Sequence, residues 1–153
     1  MKRKKNTSKK GISKKLVEKA GMAIKHEFYL EASWILTSIF ERKLNKILEK
    51  MLPQAQKQGL TFTQLINRVR NLNISGKHPD FSAYMKIGLL DDIRTWKNQR
   101  NDVLKDIPDT HVSQARLERL ATEGIRLLKE LNKATRSIKS ADNLTDSAAE
   151  NQG

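Results

Sequence analysis

The sequence predicts an all-α protein, an up-and-down antiparallel bundle of four to five helices. Three observations carry that expectation. Apolar residues recur at three- and four-residue intervals along nearly the whole chain, no stretch alternates with the period of two that a half-buried strand needs, and the connectors are short and built from Gly, Pro, Asn and Ser. Helices with one apolar stripe each must bury it against one another, and short connectors favour antiparallel neighbours.

From about Ile12 to Met51 the pattern is helical, with apolar positions at 28, 32, 35, 36, 39, 40, 44, 47, 48 and 51. Gly21 is the expected divider between a first helix, Ser13 to Met22, and a long second helix, Lys25 to Met51, which Pro53 ends. After the polar connector 54–59, Thr61-Phe62-Thr63-Gln64 fits a capping box. There the Thr61 hydroxyl accepts from the Gln64 amide while the Gln64 side chain reaches back, and Leu65, Ile66, Val69 and Leu72 form the buried side. Asn73 to Pro79 has loop composition, and Phe81, Tyr84 and Met85 suggest a brief helical turn ending near Gly88. A fourth helix runs from Leu89 to about Ile107 and is broken at Pro108. Asp109 or Thr110 is placed to cap a fifth helix, in which Gly124 costs a little stability. The domain division that follows is a basic flexible tail over 1–12, a helical bundle over 13–140 and a disordered tail over 141–153, where large apolar groups become few.

Composition excludes several functions. The chain has 153 residues, no cysteine and three histidines, and His26, His78 and His111 show no helical ligand pairing, so a disulfide framework, a zinc enzyme and a metal or cofactor of any kind are not expected. No apolar run reaches the ~20 residues of a membrane span or follows the basic amino terminus as a signal peptide would, so the expected place is the cytoplasm, without membrane contact. The net charge is +13, and residues 1–15 hold eight Lys or Arg and no acid. Lys2, Arg3, Lys4, Lys5, Lys9 and Lys10 are therefore candidate contacts to a phosphate backbone, through counterion release and without reading sequence; the alternative is a solvated, solubilising terminus.

The sharpest local feature is Arg100-Asn101-Asp102-Val103-Leu104-Lys105. Position 100 falls in helical step with 93, 96, 103 and 107, so Arg100 is expected to point at packed protein. A buried guanidinium needs a carboxylate, a phosphate or a subunit boundary. Within one chain the candidate partners are Glu41 and Asp92, in which case Arg100 is a structural ion pair and Lys105 merely a wet-face lysine. Trp96 shares the inward face, whereas Trp34 and Tyr29 lie at the edge of the long helix's stripe and suit a dimer contact or domain edge better than base stacking.

The order of parts, a long helix bearing Tyr29-Leu30-Glu31-Ala32-Ser33-Trp34 and Ile39-Phe40-Glu41-Arg42, a short helix, then a helix with Arg100-Asn101, resembles the HEPN superfamily over roughly residues 13–138. Many of those domains are metal-independent endoribonucleases acting as dimers, with Arg, a polar residue and, four to six residues on, His. Arg100 and Asn101 match; Lys105 stands where the four-residue spacing puts His. The resemblance implies a homodimer whose cleft holds RNA or another phosphate-bearing partner. An imidazole shuttles protons near neutrality, but an ammonium is a fixed cation unless its pKa falls by several units, so Lys105 reads as a phosphate contact before a base. The expected function is thus a non-catalytic HEPN-like domain binding through Arg100, Asn101 and Lys105. The alternatives are an endoribonuclease of toxin or phage-defence type using Arg100 with Lys105 or a borrowed histidine, and a protein-interaction bundle without nucleic acid.

Overall fold

A computed structural model describes residues 8–53, 59–108 and 112–150, and among these the chain is all-α with six helices and no strand. They are α1 (Ser8–Lys25), α2 (Tyr29–Met51), α3 (Phe62–Ile74), α4 (Pro79–Tyr84), α5 (Ile87–Asp106) and α6 (Gln114–Glu150). The described helices exceed the expected four to five because the turn anticipated near Phe81 is a helix in its own right. Pro79 starts it, where a missing N–H costs nothing.

The break between α1 and α2 is not at Gly21, which lies inside α1, but at Glu27. Glu27 takes a left-handed φ of 63°, its N–H donates to the Ile24 carbonyl at 3.0 Å, and the Phe28 N–H donates to the Ala23 carbonyl at 2.8 Å. These two bonds form a Schellman motif with Glu27 where glycine is usual. α1 also begins earlier than expected, at Ser8, because no proline stands in Ser8 to Lys15 and the single glycine, Gly11, does not end the helix; Lys9 and Lys10 stand in its first turn with side chains outside the described residues, and Lys2, Arg3, Lys4 and Lys5 lie wholly outside them.

The capping box of α3 is present in both halves, Gln64 N–H to the Thr61 hydroxyl at 3.2 Å and Thr61 N–H to Gln64 Oε1 at 2.9 Å. Asp109 and Thr110 fall outside the described residues, and the first turn of α6 is capped instead by Ser113, whose hydroxyl accepts from the Arg116 amide at 3.1 Å. α6 continues to Glu150, through most of the segment expected to be disordered. Few apolar residues remain there, but three alanines and no glycine or proline occur before residue 151, so the backbone meets no breaker.

The chain divides into two compact units, one of Met1–Lys43 with Trp96–Ile125, the other of Leu44–Thr95 with Arg126–Gly153. In the first, Leu36, Phe40, Trp96 and Ala121 are fully buried. The Phe40 and Trp96 rings meet at 5.3 Å and 59°, and the Trp96 indole N–H donates to the Leu120 carbonyl at 2.8 Å. That approach depends on Gly124: a Cβ there would stand 2.8 Å from Leu36 Cδ1 and 2.9 Å from Trp96 Cζ2. Tyr29 is buried with Ala23, Ala32 and Ala121, so it belongs to the core and not to an edge. In the second unit α3 and α4 are tied by the Asn73 amide donating to the Met85 carbonyl and the Ser82 hydroxyl donating to the Asn73 carbonyl, while Asp91 bonds Arg70 at 3.2 Å and Arg94 at 3.3 Å.

Candidate functional site

Leu90, Ile93, Trp96, Arg100 and Val103 form the buried face of α5, as the three- and four-residue spacing requires, and the face stops short of Ile107, which is exposed. Arg100 is thus an inward cation, only 8% exposed. Its Nε has no hydrogen-bond partner, and its guanidinium carbon lies 5.5 Å from the ring centre of Trp34 on α2. Trp34 is itself 58% exposed. The geometry is a cation–π pair in which the indole presents one part to the guanidinium and much of the rest to water.

Two further charges complete the site, both within the first unit. Burial pushes the Arg100 guanidinium below its ordinary value, with the Glu41 carboxylate opposing that shift. Lys97, one turn before Arg100 on α5, is likewise lowered, first by burial and then by Arg100, against Glu41. A buried guanidinium and a half-buried ammonium therefore share the field of one carboxylate beside an exposed aromatic ring. An anion reaching this place would relieve both cations and gain more there than in open water.

Of the two carboxylates named as arginine partners, Glu41 is the one whose charge acts on Arg100; Asp92 is exposed and belongs to the other unit. Asn101 and Lys105 are exposed and stand about 100° and 140° around the helix from Arg100, so the motif splits. Arg100 turns inward. Lys97, Asn101 and Lys105 form an outer row at four-residue spacing, which begins beside Arg100 and turns away from it. His26 lies at the α1–α2 turn with its ring 6.3 Å from that of Phe28, His78 precedes α4 in the second unit, and His111 is outside the described residues; neither described imidazole is among the groups acting on Arg100.

Sequence reasoning missed Lys97 and the Trp34–Arg100 contact. Lys97 had a local signal, its place three residues before Arg100 on the same helix. The indole, 66 positions away in the chain, had none.

An open concavity of about 740 Å³ in the same unit is lined by Asp102, Glu118 and Glu123 together with Arg116 and Arg119. Its acids outnumber its bases, so it offers an anion no net attraction. Among the described residues no three His, Cys, Asp or Glu side chains gather as metal ligands, and no helix is long and apolar enough to cross a membrane. Compared with protein-family models, curated proteins and solved structures, the chain matches none.

Proposed function

We propose that this chain is a non-catalytic helical domain of HEPN type that binds unpaired RNA, with a base stacked on Trp34 and a neighbouring phosphate received by Arg100 and Lys97. The observation that carries the proposal is the buried guanidinium with an unsatisfied Nε under an exposed indole. Leaving a buried donor unpaired costs about 1–3 kcal/mol, and an incoming phosphate oxygen would recover that cost. Stacking on an aromatic ring contributes about 1–3 kcal/mol per base and tolerates any base, which suits a site with few hydrogen-bonding groups to read one. Asn101 and Lys105 extend the contact along the outer row of α5, and the surplus of basic residues steers RNA toward the molecule.

Non-catalytic binding is favoured over RNA cleavage by the exposure of Lys105. An exposed side chain about 140° around the helix from Arg100 does not converge with it on one phosphodiester, so Lys105 serves as an outer phosphate contact, not as a base. The HEPN assignment rests on the Arg100-Asn101 pair and the inward position of its arginine on the penultimate long helix.

The test is binding of a single-stranded oligoribonucleotide, followed by fluorescence anisotropy, to the whole chain and to Trp34→Ala and Arg100→Gln variants. Each substitution is expected to weaken binding about ten-fold or more, the loss of one stacked base or one charge-assisted contact, with the RNA recovered intact. Unchanged affinity in both variants overturns the proposal, and RNA cut by the wild-type chain but not by Arg100→Gln returns the reading to an endoribonuclease.

A further inference from the structure

The outer face of α6 carries a second cationic feature that the Trp34–Arg100 site does not use. Within the second unit Leu127, Leu128, Leu131, Ala134 and Ile138 are buried, and on the opposite side Arg126, Lys129, Lys133, Arg136 and Lys139 are exposed. At 100° per residue Lys129, Lys133, Arg136 and Lys139 fall within an arc of about 120°, and the four span about 15 Å of helix. Glu130 is the only acid between residues 126 and 139, and it pairs with Arg126 at 2.6 Å. Among the described residues Lys129, Lys133, Arg136 and Lys139 enter no ion pair.

An isolated solvated lysine needs no explanation, but four cations that pair with no acid among the described residues, in one row of a chain already at +13, repel one another, and i,i+4 pairs with glutamate would have been the stabilising choice. We infer that the row Lys129, Lys133, Arg136 and Lys139 is a docking track for the phosphodiester backbone of a double-helical nucleic acid. Among the described residues the exposed large apolar side chains, Val17, Met22, Phe28, Trp34, Ile74, Tyr84 and Ile107, all lie off α6, so nothing described along the track offers bases a surface to stack on. A single strand would forgo its main source of affinity there. A duplex presents a continuous backbone, and about 15 Å of helix faces about four base pairs of it. An anionic lipid surface is the weaker fit, because the apolar face that would enter a membrane is already buried in the unit.

The experiment compares the whole chain with a Lys129→Gln, Lys133→Gln, Arg136→Gln triple variant on RNA and DNA duplexes of about 16 base pairs, across a range of salt concentrations. All three positions are exposed, and circular dichroism checks that the helices persist. The expected result is weaker duplex binding whose log–log salt slope is shallower by about 2.7, at ~0.9 per cation, with single-strand binding at Trp34 retained. A charge-conserving Lys129→Arg, Lys133→Arg, Arg136→Lys variant is expected to keep the wild-type slope. RNA duplex binding beyond DNA duplex binding would mark a track fitted to the A-form, and equal binding a track fitted to phosphates alone; either supports the inference. An unchanged slope in the glutamine variant overturns it, as does tighter binding to anionic vesicles than to either duplex. Because Trp34→Ala leaves this track intact, failure here and failure of the single-strand site are separable.

Discussion

Arg100 is held at a cost to the fold. Its side chain is almost wholly buried, its Nε donates to nothing, and the contacts that offset this are a cation–π pair at 5.5 Å and the nearby carboxylate of Glu41. A residue kept for packing would be expected to do better in that place. Arg100→Met is therefore expected to stabilise the protein by about 1 kcal/mol, raising Tm by about 2–4 °C in thermal denaturation, while weakening RNA binding. A fall in Tm instead would identify Arg100 as a structural ion-pair member. The burial of Arg100 was legible from its phase with Ile93, Trp96 and Val103 alone. Its surroundings were not, because helical phase says which way a side chain points and nothing about which residue of a distant helix it meets.

Among the elements, α1, α2 and α6 carry the clearest consequences. At the α1–α2 turn Glu27 bears the left-handed conformation that costs a non-glycine residue about 1–2 kcal/mol. Glu27→Gly is expected to raise stability by about 1 kcal/mol, read as a higher urea midpoint with unchanged slope. Gly124 is the opposite case. Alanine would improve helix propensity by about 1 kcal/mol, but its Cβ would press on Leu36 and Trp96, both fully buried and unable to withdraw. Overpacking of this kind costs about 1–3 kcal/mol, so Gly124→Ala is expected to lower the denaturation midpoint in spite of its propensity. These two positions and Gly21 also mark where local signals misled. Gly21 looked like a break and is mid-helix, Glu27 looked like helix and is the break, and Gly124 looked like a small defect and is the gap that admits an indole. Helix propensity is a weak signal that tertiary packing readily overrides, and only the strong signals, the Thr61 capping box and the prolines at 53, 79 and 108, located ends well.

For the whole molecule, the all-α class was legible because every apolar pattern in the chain has one period. The division into two compact units was not, because the cut falls inside α2, α5 and α6, where the sequence carries no linker. The homodimer implied by the HEPN resemblance is a prediction at this scale. Met22 and Phe28, at 52% and 59% exposure, leave large apolar surface on a chain of high net charge, and a second copy would cover it. Sedimentation velocity is expected to show a dimer that persists as salt rises, since screening eases the repulsion between two basic copies. A monomer at high concentration in high salt would leave the proposed RNA site as a single-chain feature.

The two tryptophans of this protein stand in opposite surroundings, Trp96 sealed and hydrogen-bonded, Trp34 open to water above a guanidinium. The molecule thereby contains its own optical gauge. Iodide should quench the red-shifted emission of Trp34 and spare the blue emission of Trp96, and any occupant that settles over the open ring should abolish the difference, so that titration without a label would count what arrives there.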